Sequence, residues 1–183
     1  MDRLTGAPRL RLAGPADVPA LLAIYDARVA WLVARGRTGQ WGDRPFSQSP
    51  QWIDRIEAHV RRRWLWLAVD DHGPLGAMAV TDEPPFYVPP AGEPERYIKG
   101  FVTALGPAAR GAGAALWRNA ERIAARDGVA LLRLDCYHGG DGKLVRYYEG
   151  VGFRRVRNLT VNFPDPPSTY HGCLLARRLD GDG

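Results

Sequence analysis

Cysteine is scarce in this chain: two residues, Cys136 and Cys173, both within apolar runs that read as strands. That scarcity excludes a disulfide-built scaffold. Two buried free thiols are the favoured reading over a disulfide or a metal pair. Histidine is sparse too, and its four residues are scattered without metal-ligand spacing, so no metal site is expected. Long apolar runs are missing. Nothing approaches the roughly 18 residues of a membrane span, so no membrane partner is expected. The first residues, MDRLTGAPRLRLAG, carry no apolar segment of signal-peptide length, and a cytoplasmic location is expected. Repeats and linkers are absent as well, so residues 1–183 read as one domain with a sizeable core.

What is present is an ordinary globular balance, 45% hydrophobic and 25% charged, with a net charge of +5. Much of the excess is arginine, densest at Arg61-Arg62-Arg63. A basic balance suits anionic ligands. Nucleic acid would compete for that role, but the arginines are spread along the chain with no basic stripe interleaved with aromatics. Nucleic acid is therefore not the expected partner, and a solvated arginine surface accounts for most of the charge.

Apolar periodicity orders the elements. Arg9 to Ala13 alternates and suits an edge strand; Val18, Leu21, Leu22, Tyr25, Val29 and Leu32 recur at helical spacing. Ser49-Pro50 starts a second helix bearing Trp52, Ile53, Ile56 and Val60. Trp64 to Val69 and Leu75 to Thr81 form a hairpin across Asp71-His72-Gly73. Five prolines make residues 83–95 a loop. Arg96 to Ala104 is a strand, Arg110 to Asp127 a helix, Ala130 to Cys136 a central strand and Gly142 to Gly150 a helix. Arg154 to Arg157 and Cys173 to Leu179 are the last strands, with a proline-bearing loop expected between them.

The most informative stretch runs from Tyr97 to Phe153. After Gly106-Pro107 comes Arg110-Gly111-Ala112-Gly113-Ala114-Ala115, opening a long amphipathic helix. Small residues let a ligand approach the backbone. A helix start offers unpaired N–H groups and the positive end of the dipole, an anion site suited to a pyrophosphate. A strand, a short helix carrying Tyr147-Tyr148 and a Gly152-Phe153 turn follow.

This order resembles the GNAT superfamily of acyl-CoA-dependent N-acyltransferases. The family's pyrophosphate loop, Gln/Arg-x-x-Gly-x-Gly/Ala, matches Arg110 to Ala115, and its Tyr-Glu-x-x-Gly-Phe signature matches Tyr148 to Phe153. Around Gln40-Trp41-Gly42 the chain is similar to actinobacterial-type members. The resemblance implies an α/β fold: a mixed, twisted sheet with helices on both faces, whose fourth and fifth strands splay around the acyl-pantetheine. It also implies acetyl-CoA, or another acyl-CoA, as co-substrate, a primary amine of a small molecule as acceptor, and by analogy a homodimer.

Residue by residue, the resemblance places the cofactor on Arg110, Gly111, Ala112, Gly113, Ala114 and Ala115, and on the backbone of Phe101, Val102 and Thr103. Phe101 or Val102 would supply the oxyanion N–H. Asp141 stands where the family has Asn; it can cap the helix but cannot donate to the cofactor, which leaves Lys143 to compensate. Tyr148 would be the general acid for the leaving thiolate; the alternative is a core aromatic like its neighbour Tyr147. The fourth strand carries no carboxylate, so Asp135 is the candidate base, with a structural role organising Tyr137 or His138 as the equal alternative. Glu95, just before the strand, and His138 are further candidates. Trp31, Trp41 and Phe86 are the candidate acceptor-pocket residues. Competing functions are acylation of a macromolecular amine, such as aminoacyl-tRNA or protein, and a non-catalytic CoA-binding regulatory module.

Overall fold

Alternating arginines and leucines put β1 (Arg9–Leu12) at a sheet edge, where one face can stay wet. The computed structural model of the chain, which describes residues 7–164 and 167–180, then shows α1 (Val18–Val33), α2 (Pro50–Arg61), β2 (Leu65–Asp70), β3 (Gly73–Thr81), β4 (Glu95–Thr103), α3 (Ala112–Arg126), β5 (Leu131–Tyr137), α4 (Lys143–Gly150), β6 (Arg154–Pro164) and β7 (Pro167–Arg178). One seven-stranded sheet results, ordered β1-β2-β3-β4-β5-β7-β6. β4 and β5 run parallel and every other pair antiparallel.

Strand side chains alternate between faces, so each face has its own core. α1 and α2 bury Leu21, Val29, Ile56 and Val60 against Leu65, Leu67, Ala77, Ala79 and Val102. α3 and α4 bury Leu116, Ala120, Ile123 and Val145 against Met78, Val80, Ile98, Leu132 and Leu134. The expected helices on both faces are thus present. Cys136 and Cys173 are register partners on β5 and β7; both are buried free thiols, and burial pushes Cys136 up to about 12. No helix among the described residues is long and apolar enough to cross a membrane.

The last two strands correct the sequence expectation. The segment expected as a proline-bearing loop is a long hairpin, with β6 and β7 paired from Arg154↔Ala176 to Pro164↔Pro167. Proline is tolerated there because β6 is an edge strand and Pro164 sits at its end. Pro166 lies outside the described residues.

β4 and β5 pair over three positions, Glu95↔Leu131, Arg96↔Leu132 and Tyr97↔Arg133, and then part, although β4 continues to Thr103 and β5 to Tyr137. A bulge helps to turn β4 away. Gly100 and Phe101 together oppose Met78 of β3, with Gly100 in the left-handed region at φ +58°. At the branch point Glu95 and Arg133 form a two-pronged ion pair, Nε–Oε2 2.5 Å and Nη2–Oε1 2.7 Å, with side chains 5% and 7% exposed. Arg133 Nη2 also donates to Pro89 O at 2.9 Å, so the guanidinium ties the proline-rich loop to the branch.

Removing one partner of a buried pair strands the other charge. Glu95→Ala should cost about 3–5 kcal/mol, which for a domain of this size lowers Tm by roughly 6–20 °C. Replacing both partners, as Glu95→Leu with Arg133→Met, should recover most of the loss. Thermal unfolding of the three variants checks this. A single variant within about 1 kcal/mol of wild type would mean that water already reaches Arg133.

Candidate active site

The small-residue loop folds as an open cradle. Gly106 takes φ +92°, Pro107–Ala109 makes one tight turn, and Gly111 enters the left-handed region at φ +84° before α3 begins. Open space surrounds the position a Cβ would take on Gly111. The first intrahelical bond runs from Ala115 N–H to Gly111 O at 3.0 Å, and no side chain caps the helix. The N–H groups of Ala112, Gly113 and Ala114 therefore precede the helical ladder. A Cβ on Gly113 would lie 3.3 Å from Phe101 Cζ and 3.8 Å from Tyr147 Oη, so this glycine is where α3 comes close to β4 and α4. Arg110 is exposed and makes no ion pair among the described residues. An uncapped helix start, an open glycine and a free guanidinium fit a pyrophosphate.

The β4 arm is held from α1. Tyr25 Oη donates to Gly100 O at 2.5 Å, and Arg28 Nη2 donates to Thr103 O at 2.8 Å. These side chains lie one helical turn apart, so a single helix fixes the bulge and the end of the strand. Val102 is buried towards α1, while Phe101 packs towards α3, with its ring 5.3 Å from Trp117 and 6.2 Å from Tyr147.

On the other arm, Tyr148 is 8% exposed, among Trp117, Phe153, Tyr147 and Cys136. Its hydroxyl has no hydrogen-bond partner among the described residues. Burial, and then the neighbouring Cys136, Tyr147 and Asp135, hold its pKa well above the ordinary 10. Tyr147 is not a core aromatic, as expected, but 43% exposed; its hydroxyl accepts from Trp117 Nε1 at 3.3 Å and its ring stacks on Phe101. Asp141 does support the start of α4, accepting the Lys143 N–H at 3.1 Å. Its carboxylate also holds Lys143 Nζ at 3.0 Å and Arg37 at 2.7 Å, and the bonds from Lys143, more than the charge of Arg37, lower its pKa. Lys143 is thus engaged with Asp141.

Asp135 lies on the opposite face of β5. It accepts hydrogen bonds from three phenols: Tyr97 at 2.6 Å, Tyr170 at 2.9 Å and Tyr87 at 3.2 Å. Burial, and then the carboxylate, raise the pKa of all three hydroxyls, so they keep their protons. The carboxylate thus organises these tyrosines, and not Tyr137 or His138. Glu95 is inside β4 and committed to Arg133, which removes it as a free base.

The three acceptor-pocket aromatics separate. Trp41 packs edge-on to Tyr25 at 5.7 Å and against Phe46 at 5.6 Å. Trp31 lies under Arg28 and Arg35. Phe86 is 87% exposed and sits with Tyr87 and Phe163. The linker carrying Trp41 nevertheless spans the fork. Gly39 abuts Tyr137 at the end of β5, Arg37 pairs with Asp141, and Tyr25 beneath Trp41 reaches the β4 bulge.

Sequence reasoning passed over Tyr25, Arg28, Tyr147, Trp117, Tyr97 and Tyr170 as site residues. Tyr25 and Arg28 had a signal, being a polar-tipped aromatic and an arginine at helical spacing on a core-facing stripe. The tyrosines around Asp135 are 35 to 48 residues away in sequence and had none.

Comparison with known proteins bears on the fold that carries these features. No curated relative matches the chain by sequence. Among solved structures it is similar to a proposed phosphinothricin N-acetyltransferase, at 24% identity over 95% of this chain and 99% of the other, TM-score 0.64. It is similar to a ribosomal-protein-alanine N-acetyltransferase from Brucella melitensis, at 20% over 93% and 99%, TM-score 0.63. It is also similar to yncA from Salmonella typhimurium, a proposed acetyltransferase solved with its cofactor acetyl-CoA, at 17% over 97% of each chain, TM-score 0.64. At these identities the likeness carries the fold. The acetyltransferase (GNAT) family model matches residues 26–153, which includes both arms of the fork, the cradle and Tyr148, and the chain belongs to that family.

Proposed function

We propose that the protein acetylates the primary amine of a small molecule. That it is an N-acetyltransferase using acetyl-CoA as co-substrate follows from its family. The observation that carries the site assignment is the fork, with an anion cradle beyond the end of one arm and an unused phenol beside the other.

Acetyl-CoA, when bound, supplies an acetyl group activated as a thioester. The N–H groups of Ala112, Gly113 and Ala114, with the Arg110 guanidinium, would hold its pyrophosphate. Phe101, Val102 and Thr103 would present backbone N–H and C=O groups along the open edge of β4, and an N–H of Phe101 or Val102 would face the thioester oxygen. Tyr148 stays protonated at neutral pH because burial disfavours its phenolate, so it arrives at the reaction with a proton to give to the departing sulfur. Asp135 would receive the acceptor's ammonium and take a proton from it, leaving a neutral amine. Tyr87, Tyr97 and Tyr170 fix that carboxylate in place.

Coenzyme A at about 100 times its Kd should stabilise the wild type by about 2.7 kcal/mol, or roughly 5–11 °C in Tm. Gly113→Asp sets a like charge at the cradle and presses its Cβ on Phe101 at 3.3 Å; the variant, checked for wild-type circular dichroism, should lose that shift. An equal shift in both proteins would rule the cradle out.

Tyr148→Phe keeps the ring and removes the hydroxyl. Turnover should fall about 10²–10⁴-fold with coenzyme A affinity unchanged, read from thiol release and calorimetry. Full turnover in this variant would move the acid role to another group.

For Asp135→Asn the loss should be greatest at low pH, where most of the acceptor amine is protonated. It should shrink as pH rises towards the amine's own pKa and free amine becomes abundant. A pH profile of unchanged shape, together with a lower Tm, would mark Asp135 as structural.

A further inference from the structure

The face of the fork towards α1 and α2 holds three charges that have no ion-pair partner among the described residues: Asp135 on β5, Lys99 on β4 and Arg55 on α2. The other charges nearby are committed, since Glu95 holds Arg133 and Glu83 holds Arg62 at 2.7 Å. Lys99 and Asp135 occupy equivalent places. Each stands two residues beyond the last paired position, Tyr97↔Arg133, one on each arm. Side chains two apart on a strand share a face, so both extend from the side on which Tyr97 and Arg133 lie, about 6–7 Å past the branch.

They do not meet. Lys99 Nζ lies 5.9 Å from the centre of the Tyr97 ring, and the hydroxyl of that ring, at 2.6 Å, is on Asp135. The Tyr97 ring thus separates the positive end of the cleft from the negative one. At the positive end Lys99 is half-buried against Trp64 and Tyr97. Its pKa is lowered by burial first, raised by Glu83 and Asp135, and lowered by Arg55 and Arg62. His59 sits among the same three cations and is pushed down to about 4, mainly by burial, so it is neutral at pH 7 and does not answer their charge. Arg55 is exposed and lies over the Trp52 ring at 4.5 Å, and its charge acts on Lys99, His59 and Tyr87. At the negative end, Tyr87 and Tyr170 line the carboxylate, and Phe86 and Phe163 stand beside them.

Lys99 and Asp135 are half-buried, and half-buried charges are costly without a counter-ion. Here opposite charges are held apart across a cleft rather than collapsed onto each other. A ligand bearing both signs would satisfy both ends at once. A simple alkylamine would answer Asp135 and leave Lys99 and Arg55 as they are.

Building on the reading of this face as the acceptor side, we propose that the acceptor is a zwitterion of amino-acid type, its ammonium on Asp135 and its carboxylate on Lys99 and Arg55. The rings of Phe86 and Phe163 border the ammonium end and suit an apolar substituent. The ammonium gives one proton to Asp135 and the neutral amine forms the new N–C bond; the C–S bond breaks, the sulfur takes the proton of Tyr148, and the second amine proton, released as the amide forms, restores the Tyr148 phenol.

The test uses the full chain with acetyl-CoA and the protein-forming L-amino acids, each paired with its carboxamide, which keeps the amine and deletes the negative charge. Thiol release is read for every pair, and calorimetry is run on the coenzyme A complex with the same pairs. At least one amino acid should exceed its carboxamide about tenfold in kcat/KM, the size expected for a lost hydrogen bond between charged groups. Lys99→Gln and Arg55→Gln should each raise KM for that acid with little change in kcat, and should erase the preference. Carboxamides used as well as the acids, or variants that keep the preference, would overturn the zwitterion while leaving acetyl transfer intact. If no amine released thiol, the transfer reading would fall. Calorimetry would then decide the zwitterion alone: tighter binding of an acid than of its carboxamide supports it, and equal or absent binding overturns it.

Discussion

Two parallel strands that pair for three residues and then part need something firm at the branch, and here it is the buried Glu95–Arg133 pair. The backbone ladder offers little, because three register positions cannot hold two strands against the pull of separate layers. A guanidinium gripped by both oxygens of a carboxylate, and by a carbonyl of the proline-rich loop, fixes strand, strand and loop at one point. Above that point divergence is built in. The bulge at Gly100 breaks register with β3, and Tyr25 and Arg28 hold the freed arm to α1.

β5 serves two environments through side-chain alternation alone. Leu132, Leu134 and Cys136 face α3 and α4, near Tyr148. Arg133 and Asp135 face the other way and carry charge into the opposite layer. The family's chemistry needs a donor and an acceptor brought together at one bond, and a strand with unlike faces at the mouth of a fork can position groups for both. This accounts for a charged residue in the middle of a run otherwise apolar enough for a central strand.

The fold was largely legible from periodicity. Helical spacing marked α1, α2 and α3, and the hairpin and strand runs gave the remaining order. The cradle was legible because its requirement is local: small residues at a helix start. The β6–β7 hairpin was hidden because Pro164 and Pro167 read as loop residues, and only sheet order shows that proline there ends an edge strand. The surroundings of Asp135 were hidden for a different reason. Its hydroxyl partners come from a loop, from β4 and from β7, and only the folded sheet brings them together. Glu95 was misjudged by one residue of strand boundary, enough to turn a buried ion pair into a supposed free base.

The phenol of Tyr137 is clamped between two glycines. A Cβ on Gly39 would lie 2.3 Å from its oxygen, and one on Gly139 would lie 2.1 Å away. The two glycines belong to the α1–α2 linker and to the loop after β5, so the ring works as a spacer that sets how closely two loops approach over the mouth of the fork. Tolerance to substitution is therefore lopsided. Trimming Tyr137 opens a gap that the loops can partly close, whereas a single methyl on either glycine meets a rigid ring backed by the opposite loop. In a population of variants, the conserved-looking positions of this corner would be the residues that have no side chain, and the visible aromatic would drift more freely than they do.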